Sequence, residues 1–463
     1  MPWNRRIAQS SIGLPAGFHG VSIYIPEMKT FLNLLGFDAG ERVRYKEGML
    51  WLPAALLSLS AYAAPRAYTL NDLFRETVEA SETVRVKAEE RIQAEEAKSK
   101  SGSAFLPQIS GVASYLRNDA PPPGGETARI FPQDQKTAKL VAQQYLFQGG
   151  SEYAYLSRTK LLIESKDAEL AHSRQRYYLD LANAYYDLLL RRANLEHAKA
   201  ELQLYDEQIE ELGSRVRIGR SRSTDLLSAR AARASSESRL RAAESELAFS
   251  RLALGNLARL AEFEVREEET SSKPLDPLES YLKASEQRPD LVAIRKRRDA
   301  TSKDLAYYRG FHFPSLDLGA NYYLHREGAN ANSKWDATVT LTVPLFAGGA
   351  TQSDVRSAAS TLRASEVQAG ELERRVETEI RQVHQNLIAS AAEMKALSSA
   401  VELSGRAYQQ TKKDYRFGLT THLDFLESLR THTEAKKSFD QARYRHAVER
   451  IQLEIGAGRI PTI

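Results

Sequence analysis

The chain has 463 residues, 64 Lys and Arg against 60 Asp and Glu for a formal net charge of +4, no Cys, and 42% hydrophobic residues with a mean hydropathy of −0.46. That mean is too polar for a bundle of membrane-spanning helices, and the near-balanced charge lacks the basic footprint of a nucleic-acid binder, so no nucleic-acid partner is expected. Without Cys there is no disulfide framework, thiolate zinc site, cysteine nucleophile or lipid attached through an N-terminal cysteine.

The first feature in chain order is an apolar run, Met49 to Ser60, preceded by Arg42, Arg44 and Lys46 and followed by Ala61-Tyr62-Ala63-Ala64-Pro65. A basic flank, a short apolar core and an A-x-A site describe a secretory signal peptide, and the run falls short of the roughly 20 residues that span a bilayer. An extended N-terminal region 1–64 is therefore expected, with the signal at about 42–64, cleavage near Ala63 or Ala64, and residues 1 to about 47 as a long leader or a start assigned too far upstream. The competing reading is a buried core helix. No other long apolar stretch follows, so any later contact with a membrane must use β-strands or a surface.

Residues 65–262 form a first unit. Ile109, Gly111, Ala113 and Tyr115, and after the loop Pro121–Gly125 Ala138, Leu140 and Ala142, recur with period two and predict strands at about 107–117 and 136–147. YLFQGG (Tyr145 to Gly150) then leads into Leu181, Leu188, Leu195, Leu202, Ile209 and Val216, spaced by seven as in a coiled coil. A helix over about 150–216, free of Pro, would be about 100 Å long at 1.5 Å per residue. A Gly-containing turn at Gly219 and a return helix over about 222–262 complete the unit. Residues 263–285 read as an inter-repeat linker or equatorial segment.

Residues 286–463 repeat the plan. Leu316, Leu318, Ala320, Tyr322 and Leu324, then Trp335, Ala337, Val339, Leu341 and Val343, alternate with polar or small residues and predict strands at about 315–325 and 334–346. PLFAGG (Pro344 to Gly349) answers YLFQGG: Gly348 lies 199 residues after Gly149 and Gly418 lies 199 after Gly219, while Pro314 lies 207 after Pro107. The seam returns at Ile380, Leu387, Met394, Val401, Tyr408 and Tyr415, giving a long helix at about 349–416 and a return helix at about 421–456. The chain is a tandem duplication with one length change.

Four amphipathic strands cannot close a barrel, and open edges are not tolerated in lipid. Two chains would supply eight strands, a barrel filled by its own side chains; three would supply twelve and leave a lumen. Enzyme signatures are missing: there is no phosphate loop, no G-x-S-x-G elbow and no H-E-x-x-H pair. His172, His197, His384, His422, His432 and His446 lack ligand spacing and read as helix-surface residues, His422 being the one near a site of interest. No catalytic residue, metal site or cofactor is expected. Gly149, Gly150, Gly348 and Gly349 read as strand-to-helix hinges.

In order and spacing, the repeated L-F-x-G-G, the QRPDL that opens the second unit (Gln287 to Leu291) and the Y-x-x-G-x-x-x-x-x-D-x-L-E of Tyr415 to Glu427 resemble the TolC-type outer-membrane efflux proteins of Gram-negative bacteria, over about Tyr68 to Gly458. The resemblance implies a mainly α fold with a membrane β-barrel: a homotrimer with four strands per chain in a 12-stranded barrel in outer-membrane lipid, and a long α-helical coiled-coil barrel across the periplasm. It also implies a passive duct working with a periplasmic adaptor protein and an inner-membrane transporter, for small-molecule efflux or, alternatively, type I protein secretion. A remote alternative is an exported structural coiled-coil protein without a pore.

The resemblance also implies site residues. Gly219, Thr224, Gly418 and Leu423 fall on the adaptor-contact tip, the glycines also fitting helix caps. Asp225 and Tyr415 fall on a lock that holds the tip closed; a helix cap and a seam residue are the plainer readings. Asp424 and Glu427 fall on the periplasmic gate, where three copies would focus negative charge; Thr421-x-x-Asp424 also fits a capping box. The family's arginine four positions before the first gate carboxylate is replaced by Thr420.

Overall fold

The computed structural model describes residues 67–119, 133–267, 274–328 and 330–459. The predicted export signal, the Pro121–Gly125 loop and part of the 263–285 segment lie outside the described residues. In chain order the elements are β1 (Ala67–Tyr68), α1 (Leu70–Thr77), α2 (Glu82–Gly102), β2 (Gln108–Arg117), β3 (Asp134–Gln148), α3 (Ser151–Arg217), α4 (Ser223–Ala258), β4 (Glu264–Val265), α5 (Leu278–Ser285), α6 (Pro289–Gly310), β5 (Ser315–Arg326), β6 (Trp335–Thr342), α7 (Ala350–Phe417) and α8 (His422–Gly456).

Helix α3 has 67 residues and α7 has 68, and each starts on a pair of left-handed glycines: Gly149 and Gly150 at φ 65 and 79, Gly348 and Gly349 at φ 62 and 86. These dihedrals turn a strand abruptly into a helix, a turn that other residues resist. At Gly149 space forbids a side chain as well, because a Cβ would fall 2.1 Å from the Gly310 carbonyl oxygen where the end of α6 presses on the hinge.

Along its length α3 packs against α2, α6, α4 and α8, and α7 packs against α6 and α8. The heptad residues supply the contact: Leu181, Leu188, Leu195, Ile380, Leu387, Tyr408 and Tyr415 are buried. One apolar cluster joins α1 and the β1–β4 pair to α3 and α4 through Phe74, Tyr178, Leu181 and Leu254. A second joins α5 and α6 to α7 and α8 through Tyr281, Leu291, Ile380 and Leu453. Helix α2 gives only Val84 to the first cluster and meets α3 largely through polar contacts, the ion pairs Lys166–Glu90 at 2.8 Å, Lys87–Glu169 at 3.4 Å and Arg91–Asp167 and the buried Ser101–Thr159 hydrogen bond. Helix α4 ends at Ala258, earlier than the predicted 262, because Arg259 turns left-handed at φ 55 and Leu260 N–H closes the last turn on the Gly255 carbonyl.

The sheet has the order β2-β3-β5-β6, all antiparallel. Its two hairpins share one register: Gln108 faces Gln143 and Ala113 faces Ala138 in the first, Ser315 faces Thr342 and Ala320 faces Ala337 in the second. Cross-strand pairs on one face are apolar, Tyr322 with Trp335, Leu318 with Val339 and Leu316 with Leu341, yet Trp335, Val339 and Leu341 stay 64–69% exposed. Strand β6 stops at Thr342 rather than at the predicted 346, because β5 begins at Ser315, opposite Thr342, and leaves Val343 to Phe346 without a neighbour. Among the described residues no helix is long and apolar enough to cross a membrane.

Candidate functional site at the helical tips

The ends of both long helices are fixed by glycine. At α3 the N–H of Gly219 (φ 74) bonds to the Val216 carbonyl and that of Arg220 to the Arg215 carbonyl; at α7 Gly418 (φ 72) and Leu419 bond in the same way to Tyr415 and Asp414. This double closure satisfies carbonyls that a helix end would leave open and demands a left-handed residue. No atom lies within 4 Å of where a Cβ would stand on either glycine, so dihedral angle, not space, selects glycine there.

Beyond the glycines the turns differ. In the first, Arg217, Arg220 and Arg222 are exposed, and α4 begins at Ser223 without a side-chain cap. The second exposes Phe417, Leu419 and Leu423 and starts α8 with a full capping box: Thr421 Oγ1 accepts the Asp424 N–H at 3.2 Å while Asp424 Oδ2 accepts the Thr421 N–H at 3.1 Å. Thr420, standing where the resemblance expects arginine, donates its hydroxyl to the same Oδ2 at 3.0 Å. Hydrogen bonds from Thr421 and Thr420 hold the Asp424 carboxyl below the usual range. Glu427 is paired with Arg430 at 2.7 Å, which lowers its pKa likewise. Within one chain both carboxylates are thus exposed, ionised and satisfied locally.

Asp225 is half-buried in the first turn of α4. Its charge reaches Tyr415 and His422, although no hydrogen bond joins Asp225 to Tyr415 within the chain. Tyr415 is buried under the tip, its ring 5.6 Å from Phe425 and 5.8 Å from His422, with the Arg215 guanidinium 5.2 Å above it. Burial pushes its hydroxyl pKa up, Asp225 and Glu211 adding to the rise and Arg215 opposing it. These side chains cap a cluster built on Tyr205, Leu212, Ala229, Tyr408, Phe425 and Leu429.

The surface reading of His422 needs correction. It is 8% exposed, and its Nδ1 lies 3.0 Å from the amide nitrogen of buried Gln208 on α3. Nε2 of His422, Oε1 of Gln208 and the hydroxyl of Tyr408 have no hydrogen-bond partner. Burial depresses the His422 pKa and the Asp225 charge works the other way. The sequence signal was available in the spacing of His422, Phe425 and Leu429, which share one helix face. Among the described residues no group of three His, Asp or Glu stands close enough to hold a metal.

A profile of the family described as "Outer membrane efflux protein" matches residues 73–258 and 281–459. The outer membrane protein TolC of Vibrio cholerae is 27% identical over 426 residues, 89% of this chain and 95% of that protein. The alkaline protease secretion protein AprF of Pseudomonas aeruginosa is 26% identical over 349 residues, 70% of each chain. Among solved structures, the outer membrane protein VceC of Vibrio cholerae superposes with a TM-score of 0.75 at 20% identity, covering 84% of this chain and 96% of that one. The chain belongs to the outer membrane efflux protein family, the non-enzymatic outer-membrane ducts of efflux and secretion.

Proposed function

We propose that the chain works as a homotrimer: three copies of the four-stranded sheet close a 12-stranded barrel in outer-membrane lipid, and the α3–α4 and α7–α8 hairpins assemble into a coiled-coil tunnel across the periplasm. The observation that carries this reading is the sheet itself, apolar and exposed on one face and open at both edges. Such a surface is unstable in water, and in lipid its unpaired edges must be closed. The twofold repeat in the sequence fits a barrel built from six similar hairpins.

The tip is the periplasmic end. Gly219, Thr224, Gly418 and Leu423 form the adaptor contact, Asp225 and Tyr415 the lock, and Asp424 and Glu427 the gate, with an adaptor protein and an inner-membrane transporter as partners and small molecules as cargo. Likeness to the secretion protein AprF favours a second reading, the outer-membrane component of a type I protein secretion system. Purification and planar-bilayer recording test the common core of both. The chain is expected to require detergent, to have the mass of three copies and to conduct ions; a water-soluble, non-conducting product would defeat the reading.

A further inference from the structure

Helices α2 and α6 pack on either side of α3, and between them lies a cavity of about 540 Å³. Tyr177 of α3 and Ala293 and Ile294 of α6 give it an apolar lining, and beside them the Nδ1 of His172 is buried without a hydrogen-bond partner. Burial holds the His172 pKa below its ordinary value, with Asp290 working the other way and Arg288 and Arg176 adding to the fall, so the ring is neutral at pH 7. The charged groups around the cavity are unevenly matched. Lys87 is bonded to Glu90 and Glu169, and Arg288 to Asp290. Arg176 and Arg297 are exposed and, among the described residues, have neither an ion pair nor a hydrogen bond; Asp180, one turn beyond Arg176, is the one lining carboxylate in the same condition. One positive charge is left over above an apolar floor.

Position on α3 fixes which way the cavity opens. Ser173, Arg176 and Asp180 line it, whereas Gln175, bonded to the Gly458 carbonyl, and Tyr178, bonded to Asn71 of α1, each stand two positions from one of them, about 200° round the helix. In a tunnel whose lumen stays open, α1 and the chain's last turn must lie outside the wall, and the cavity then opens inward. We propose that the cavity binds small organic anions with an apolar body, the anionic group on Arg176 and Arg297 and the body on Tyr177, Ala293 and Ile294. The site is complete within one chain; only its opening on the lumen rests on the tunnel reading above. A cavity of this size, apolar with a few convergent polar groups, suits a small ligand. Guanidinium forks match a carboxylate or sulfonate in two-point geometry, and the apolar lining gains from covering hydrocarbon. Asp180 disfavours a second negative charge, and His172 offers a neutral hydrogen-bonding position to a polar group on the body.

Equilibrium dialysis of the detergent-solubilised full chain, referred to detergent alone, tests the site with three probes: naphthalene-2-sulfonate, the neutral 2-naphthalenemethanol and the 2-naphthylmethylammonium cation. The sulfonate is expected to bind about tenfold more tightly than the alcohol or the cation. Arg176→Gln with Arg297→Gln should weaken sulfonate binding about tenfold and leave the alcohol unchanged. Ser173→Glu, which keeps both arginines but places a carboxylate in the cavity, should weaken the sulfonate by a similar factor. Equal binding of sulfonate and alcohol, or sulfonate binding that survives in both variants, overturns the site. Planar-bilayer recording tests the inward opening. The sulfonate should lower the single-channel conductance of the parent, and the double arginine variant should need about tenfold more of it for the same block. Binding without block overturns the placement on the lumen, and a monomeric, non-conducting parent overturns the duct reading itself.

Discussion

At Gly219 and Gly418 the chain stops two long helices with the same backbone, φ 74 and φ 72 and the same pair of closing hydrogen bonds, and both turns carry an arginine (Arg217, Arg416), an exposed apolar residue (Ile218, Phe417) and an aspartate (Asp225, Asp424), yet the five residues that follow each glycine have no identity in common, position for position. After its glycine the first turn carries exposed Arg220 and Arg222 and an uncapped helix start; the second carries exposed Leu419 and Leu423, a capping box and a buried histidine. Where the first has Ser223, the second has His422, 199 residues later. Stopping a helix constrains one residue's dihedral angle, so glycine recurs. What the turn presents to a partner or a pore is set by residues free to diverge. Beneath both lies one shared apolar cluster, and the contrast can be tested from that cluster outward.

The largest effects belong to the shared core. Leu212 of α3 and Leu429 of α8 are at most 2% exposed and belong to the same cluster. Leu212→Ala and Leu429→Ala should each cost about 2–5 kcal/mol, read as faster hydrogen exchange at both turns. Deprotection confined to the mutated hairpin would show that the tips do not share a core.

Next come the glycines. Neither position has steric crowding, so Gly219→Ala and Gly418→Ala should each cost about 1–2 kcal/mol from the left-handed backbone alone, and by equal amounts. Function should divide by size: Gly418→Ala preserves efflux in a folded trimer, while Gly418→Trp abolishes it by blocking the adaptor. Normal efflux in a folded Gly418→Trp variant would remove Gly418 from the docking surface.

What the sequence made legible, and what it hid, follows from how each element is held. The seam from Leu181 onward is legible because burial between helices leaves an apolar period of seven, and the strands are legible because a pleated sheet sorts apolar and polar side chains onto opposite faces with a period of two, whether or not the apolar face is covered within the chain. Helix α2 was missed: of its 21 residues only Val84 and Ser101 are buried, and it grips α3 through Lys87, Glu90 and Arg91, which look like a solvated face. Helix α6 starts on Pro289 inside the QRPDL motif and buries Leu291, Ala293, Ala300 and Leu305, but these are spread among Arg, Lys and Asp residues, with Lys296–Glu164 and Arg158–Asp304 carrying part of its contact, so it shows no heptad. The β1–β4 pair, two residues on each strand, is too short to have a period. At the tip, Tyr415 and Asp424 stood out by spacing, whereas Gln208 is a lone polar residue whose partner lies 214 positions away.

A smaller effect separates the turns by pH. Burial holds His422 below its ordinary value of about 6.5, so the packed second tip binds fewer protons than an opened one. The stabilisation from neutral His422 is complete above that ordinary value and is lost progressively as pH falls below it, levelling off beneath the depressed value. Acidification from pH 7.5 to 5.5 should therefore lower hydrogen-exchange protection factors, with the intrinsic pH dependence of amide exchange divided out, around His422 and Phe425 more than around Ser223 and Leu226. His422→Gln, an uncharged partner for Gln208, should flatten that difference. An unchanged pH response in the variant would assign the effect to other groups.

The smallest effect on stability is expected where the effect on conduction is large. Asp424 and Glu427 are exposed and satisfied by neighbours on their own helix start, Thr421 and Arg430. Asp424→Asn keeps an oxygen for the Thr421 N–H, and Glu427→Gln loses only a surface ion pair, which in general contributes little. The double variant should melt where the parent does. Under the trimeric gate proposed above, the same substitutions would remove six negative charges from one constriction, the condition under which carboxylates raise local cation concentration. Cation over anion selectivity and block by trivalent cations should then fall sharply in planar bilayers. Selectivity and block that persist in the double variant would reduce this pair to the capping box and surface ion pair seen in the single chain, and the constriction would have to be sought elsewhere along α7 and α8.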